Sequence, residues 1–219
     1  MKIKAVIFDM DGTVVDTTQL EYIAWKRMFD EQNVDFSYDE YIQVLGAKGA
    51  EIVKGKLHKE ESFIEDLLEK KEEYFKELVQ QKGLELIPDV EKVLLESRKL
   101  QLKLALATGA SQEKLDFIME KFNILHYFDA VVTADNVKNG KPDPEVFLRA
   151  SEKLQVAPEE CLVLEDASNG VEAAQKANMA CIAITSTRGR DQLEKADLII
   201  DRYQDLSLKE FLLQQVMEK

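Results

Sequence analysis

The sequence predicts an α/β fold: a parallel sheet with helices on both faces, interrupted once by an all-helical insertion. Three observations carry this. From residue 86 onward, short apolar runs of strand character alternate with segments of helical period. The first run, Ile3-Lys4-Ala5-Val6-Ile7-Phe8, is apolar on both of its faces over most of its length, as a central strand of a parallel sheet is. Between that run and the next, residues 17–85 hold helical patterns and no convincing strand. The 219 residues, 45% of them apolar, are enough for one large domain, or for one domain with an insertion.

The first strand, 3–8, ends in Asp9-Met10-Asp11-Gly12-Thr13-Val14-Val15-Asp16. Two carboxylates thus stand two residues apart at the C-terminal end of a buried strand, where open α/β sheets hold their ligands. They repel each other unless a cation lies between them or one keeps its proton. Helical patterns follow at about 17–32, 38–45, 49–57 and 61–82. The acids along 60–73 are interleaved with lysines at helical spacing, which reads as a solvated helix face. The chain crosses into and out of this block at Asp16-Thr17 and at Leu86-Ile87-Pro88, the two hinge candidates.

Asp89, after Pro88, starts a helix over 89–100. The strand 102–107 ends in Thr108-Gly109-Ala110-Ser111, and Ser111, with Lys114 and Leu115 behind it, opens a helix over 111–121. Ala130-Val131-Val132-Thr133 is a weaker strand. Gly140-Lys141-Pro142-Asp143-Pro144 puts a lysine on a rigid turn before a helix over 144–154. The strand 161–165 ends in the paired acids Glu165-Asp166, and Ser168-Asn169-Gly170 opens a helix over 168–177. Strands at 180–184 and, more weakly, at 198–200 precede a last helix over 207–217.

Composition excludes several classes. A formal net charge of −13 provides no basic field for nucleic acid or an anionic membrane. No run of about 18 apolar residues is present, so no membrane span is expected. Met1-Lys2 leads straight into the first strand with no room for a signal peptide, so the expected location is cytoplasmic. Cys161 and Cys181 each begin an apolar strand and read as buried thiols in a reducing compartment. His58 and His126 have no triad motif or metal-ligand spacing around them and read as structural.

Taken together, Asp9–Asp16, Leu104–Ser111, Gly140–Pro144 and Leu162–Asp166 resemble, in order and spacing, the four motifs of the haloacid dehalogenase (HAD) superfamily of phosphotransferases. The closest resemblance is to its β-phosphoglucomutase-like phosphatase branch, and it covers essentially the whole chain. It implies a Rossmann-like catalytic core over 1–16 and 86–219 and a helical C1-type cap over 17–85. It also implies a Mg²⁺-dependent phosphatase for a small phosphorylated metabolite such as a sugar phosphate, enclosed by the cap.

The chemistry follows. Asp9 is the best nucleophile candidate, since a carboxylate can attack phosphorus to give an aspartyl phosphate. A hard oxygen site suits Mg²⁺, with Asp9 and Asp166 as ligands from neighbouring strand ends. The resemblance implies the backbone carbonyl of Asp11 as a further ligand, with Glu165 binding through water or standing behind the ligands. Asp11, past the strand end, reaches the leaving oxygen and serves as acid and then base, held neutral beside an ionised neighbour. Gly12 lets the turn bring backbone N–H groups to the phosphoryl oxygens. Thr108, Gly109 and Lys141 bind those oxygens. In the cap, Leu45-Gly46-Ala47-Lys48-Gly49 resembles the branch's substrate-specificity loop, and Lys70 a second cap cation.

Other readings compete. A β-phosphoglucomutase shares the core chemistry, but Lys48 stands where the mutases have an arginine, and Glu21 stands at the place of their cap histidine. A dehalogenase needs neither Mg²⁺ nor an acid at position 11. A non-catalytic metabolite-binding regulatory module on the same scaffold would show a lost motif residue, and none is lost. A monomer is expected.

Overall fold

The computed structural model describes residues 3–57 and 59–217; His58 lies outside the described residues. Six parallel strands form the main sheet: β1 Ala5–Phe8, β4 Lys103–Ala107, β5 Ala130–Val132, β6 Cys161–Glu165, β7 Ala180–Ile184 and β8 Leu198–Ile200. Their spatial order is β5-β4-β1-β6-β7-β8. The expected strands are all present within a residue or two.

β1 lies between β4 and β6, with Val6 level with Leu104 on one side and Leu162 on the other. The chain therefore winds outward from β1 in both directions. The crevice beyond its C-terminal end is the point where the strand order reverses.

The two faces of the sheet are filled differently, because successive residues point to opposite sides. Phe8, Leu104, Leu106, Leu164 and Ile184 lie in one core cluster, which continues into the helical insert. Ala5, Ala105, Ala107, Cys161 and Ala183 lie in the other, under α7 Glu145–Leu154 and α8 Ser168–Lys176. Small side chains on that face let the helices sit close to the strands, and Ala150, Ala173 and Ala174 meet them from the helix side. Both cysteines are buried free thiols, as read from the sequence.

The insert consists of α1 Thr18–Glu31, α2 Tyr38–Val44, α3 Gly49–Lys56 and α4 Glu61–Lys82. Its own core is aromatic: Trp25 stacks on Phe29 at 5.9 Å, and Phe36 closes on Phe29 at 4.7 Å. Ser37 starts α2 with a capping box, accepting from the Glu40 N–H while Glu40 accepts from the Ser37 N–H.

The remaining elements are β2 Val15–Asp16, β3 Glu85–Leu86, α5 Val90–Lys99, α6 Gln112–Met119 and α9 Leu208–Met217. β2 and β3 pair antiparallel, Val15 with Leu86 and Asp16 with Glu85. The two hinge candidates are therefore hydrogen-bonded to each other, which the sequence did not announce. Ser111 caps α6 as expected, accepting from the Lys114 N–H at 3.2 Å. Asp89 does not cap α5. It sits at φ 67° and pairs with Lys92 instead. No helix among the described residues is long and apolar enough to cross a membrane.

Candidate active site

The four sequence motifs meet at the C-terminal ends of β1, β4 and β6. Asp9 directly follows β1, Thr108 directly follows β4, and Glu165 ends β6 with Asp166 after it. Lys141 reaches in from the loop before α7. Its side chain is 1% exposed, and its ammonium donates to Asp9 and, at 2.6 Å, to Glu165 Oε1.

Glu165 spends its other oxygen on the backbone. Oε2 accepts from the N–H groups of Asp166 and Ala167, both at 2.7 Å. Asp166 accepts from Thr13 at 3.0 Å and from the Thr187 hydroxyl. One oxygen each of Asp9, Glu165 and Asp166 lies within 4.8 Å of the other two, so this buried cluster could hold a metal ion.

Electrostatics support that assignment. Burial, opposed by Lys141, raises Asp9 well above the usual carboxylate range. Burial and the neighbouring Glu165 push Asp166 up to about 7. Acids that are costly to ionise together become stable as carboxylates when a cation sits among them. The donor set is hard oxygen throughout, which fits Mg²⁺.

Asp11 differs from the expectation of a neutral acid. Burial alone would raise it, but the charge of Lys114 and hydrogen bonds from Lys114 and Thr17 bring it below its ordinary value. Thr17 donates to Oδ1 at 2.6 Å and Lys114 at 2.8 Å, while Thr108 stands 3.5 Å from Oδ2. The physical reason is a buried ammonium that the motif does not contain.

Gly12 has φ +79°, and a Cβ there would come within 2.3 Å of Asp166 Oδ2. Only glycine lets this turn pass so close to the acid. Its carbonyl is held by the Ser186 hydroxyl at 2.5 Å, and the next carbonyl, of Thr13, by Tyr203 at 3.0 Å.

A cleft of about 780 Å³ lies over these residues, with Asp9, Asp11 and Asp166 on one wall and Trp25, Tyr41 and Lys71 on the other. The loop 45–49 closes it. Its Lys48 ammonium donates to the carbonyls of Val137 at 2.8 Å and Lys138 at 3.4 Å. Glu51 accepts from the Gly140 N–H at 3.1 Å, and Arg188 donates to the Ile42 carbonyl. Lys48 thus lines the cleft but spends its charge on the opposite wall.

Lys70 requires a correction. It is half-exposed, paired with Glu31 and set over Tyr74, and it does not line the cleft. Its neighbour Lys71 is the buried cation, 2.6 Å from Glu21 and over the Trp25 ring. Lys71 falls on the buried stripe Ile64, Leu67, Lys71, Phe75 of α4, whereas Lys70 points about 100° away.

Ser168 is the first residue of α8 rather than its cap, and the buried Asn169 Oδ1 has no hydrogen-bond partner. His126 stacks on Tyr127 away from the cleft. Sequence reading missed Lys114, Lys71, Ser186 and Thr187. The run Thr185-Ser186-Thr187 at the end of β7 was one available signal, since that end of the sheet carries the site.

The chain is similar to several known proteins. A family model described as haloacid dehalogenase-like hydrolase matches residues 6–184. A phosphorylated carbohydrates phosphatase of Thermotoga maritima is 35% identical over 182 residues, 80% of this chain and 82% of that one. The β-phosphoglucomutase of Bacillus subtilis is 30% identical, with 94% of this chain and 92% of that one covered. Among solved structures, a β-phosphoglucomutase from Clostridium difficile superposes with a TM-score of 0.88 at 26% identity, covering 99% of this chain and all of that one.

Proposed function

Since the chain belongs to the haloacid dehalogenase-like hydrolase family, we propose that it is a Mg²⁺-dependent phosphatase of small phosphorylated carbohydrates. The single observation that carries this reading is the joining of Asp9, Asp166 and Lys141 at one buried point at the base of a cleft. The similarity to the Thermotoga maritima phosphatase supports the carbohydrate body of the substrate. Residues 1–16 and 86–219 act as the core, and 17–85 act as a cap that closes over the substrate.

Asp9 attacks phosphorus and becomes the aspartyl phosphate. Lys141, Thr108 and the N–H groups around Gly12 and Gly109 hold the transferred oxygens. Asp9, Asp166 and the Asp11 carbonyl would hold Mg²⁺, with Glu165 behind them orienting Lys141. When bound, the ion supplies positive charge to the phosphoryl oxygens and sets the line of attack. Asp11 is the base toward water in the second half; to protonate the leaving oxygen in the first it must arrive protonated, which the negative charge of a bound phosphate ester beside it favours. Closure of the cap over the cleft limits the access of bulk water to the phosphoryl enzyme. The cell compartment is taken as the cytoplasm, and the working unit as a monomer.

The full-length likeness to β-phosphoglucomutases favours one second reading, return of the phosphoryl group to another hydroxyl of the same sugar. Against it stand Glu21 at the histidine position and Lys48, whose charge is already engaged. Phosphorus NMR with β-glucose 1-phosphate, Mg²⁺ and a trace of the bisphosphate separates the two. Release of inorganic phosphate faster than formation of glucose 6-phosphate is expected, and the reverse promotes the mutase.

A further inference from the structure

Lys114 is an unusual lysine. It sits in the first turn of α6, where a positive charge opposes the helix dipole. Its side chain is only 5% exposed, so it gains little from water. The helix dipole disfavours a positive charge at this place; its partners account for it.

Those partners come from separate parts of the chain. The ammonium lies 2.8 Å from Asp11 Oδ1, in the loop after β1, and 3.0 Å from Glu21 Oε1 on α1. It also stands 5.1 Å from the centre of the Phe75 ring on α4. Lys71 supports the arrangement from the far side, pairing with Glu21 at 2.6 Å. The result is a buried chain of alternating charge: Asp11, Lys114, Glu21, Lys71. Its ends belong to the loop of the nucleophile and to the longest helix of the insert.

We infer that Lys114 is a positioning residue: it fixes the Asp11 carboxylate toward the reacting oxygen and ties that position to closure of the helical insert. The inference rests on the phosphatase reading for what Asp11 does, but its geometry is independent of it. Asp11 Oδ1 has two donors, Thr17 and Lys114. Thr17 belongs to the crossing before α1, so it moves with the loop. Lys114 is the donor from α6, and with Thr17 it stops the carboxylate from turning about its own bonds. Glu21 reaches the same ammonium only when the insert lies against the core. Removing Lys114 therefore loosens Asp11, which keeps only Thr17 and the 3.5 Å contact from Thr108, and leaves Glu21 with Lys71 alone.

A double-mutant cycle tests this, because a residue that acts through another has no effect once the other is gone. Lys114→Met should lower kcat/KM by about thirty-fold or more in the wild-type background. In the Asp11→Asn background the same change should cost less than about three-fold. Lys114→Arg, which keeps charge and donors, should recover most of the loss. Equal losses in both backgrounds, or full activity of Lys114→Met, overturn the inference. If Lys114→Met does not fold by circular dichroism, the cycle is run with Lys114→Gln, which keeps an N–H donor. The expected pattern is the same at smaller amplitude.

A second readout does not depend on turnover. In a crystal structure of the Lys114 variant, the Asp11 carboxylate should leave its present place beside Thr17. An unmoved carboxylate overturns the positioning role whatever the enzyme hydrolyses. Absence of wild-type turnover on every phosphate ester would instead count against the phosphatase reading alone.

Discussion

Gly109 lies directly beneath the Gly46 carbonyl: a Cβ on Gly109 would come within 2.8 Å of that oxygen. One residue is in the core motif after β4 and the other in the loop that closes the cleft. Gly109→Ala should therefore hold the loop away from the core without disturbing the sheet. A displacement of this order lowers kcat/KM by about ten- to a hundred-fold for a phosphorylated sugar. Steady-state kinetics on sugar phosphates and p-nitrophenyl phosphate would check it, with the larger loss expected on the sugar ester. Equal loss on both would mean that the contact does not govern closure.

Asp9→Asn should remove turnover by several powers of ten, as expected when the group that bonds to substrate is lost. Mass spectrometry of acid-quenched enzyme should show a phosphoryl adduct on the wild-type chain and none on the variant. An adduct that persists in Asp9→Asn would move the nucleophile elsewhere.

A chelator should abolish activity and Mg²⁺ should restore it, whereas Ca²⁺ should bind and support little turnover. Thr187 holds Asp166 Oδ2 in place, so Thr187→Ala should weaken Mg²⁺ binding by about ten-fold or more. Isothermal titration of the chelator-treated protein reads this without reference to catalysis. Unchanged affinity would remove Asp166 from the ligand set or Thr187 from its support.

Lys141 neutralises two buried carboxylates at once, Asp9 and Glu165. Lys141→Met leaves both without that partner. Breaking a buried pair in this way costs about 3–5 kcal/mol of stability, to be read from urea unfolding in the absence of metal. A loss under about 1 kcal/mol would indicate that the acids take up protons at little cost.

Burial pushes the Cys161 thiol up to about 12 and raises Cys181 as well. At pH 8 the thiolate fraction of Cys161 is then only about one in ten thousand. Alkylation should be slow in the native state and become fast on unfolding. It should also accelerate as pH rises, because deprotonation is what limits it. Rapid native-state modification at pH 8 would contradict this.

How much could be read in advance depended on range along the chain. β1, β4 and β6 were legible because a strand buried on both faces leaves a continuous apolar run, and their ends carried the motif residues. The insert was legible as a break in the alternation. β2 and β3 were not, since two residues carry no periodicity. Lys71 was legible in principle, being on the apolar stripe of α4, but the surrounding charges read as a solvated face. Lys114 and Thr187 were hidden for another reason: their partners are 103 and 21 residues away, and no local pattern reports such a pairing.

The short ribbon of Val15–Asp16 against Glu85–Leu86 has a mechanical consequence. Two separate linkers would let the helical insert slide, twist and tilt. Two linkers fastened side by side would restrain all of these except a swing about the ribbon. Asp16 and Glu85 face each other across that ribbon, both exposed, and like charges in that position weaken a strand pair. The joint is thus directed but not stiff. Any opening of the insert would then be guided by backbone pairing and eased by the repulsion between Asp16 and Glu85 at its pivot.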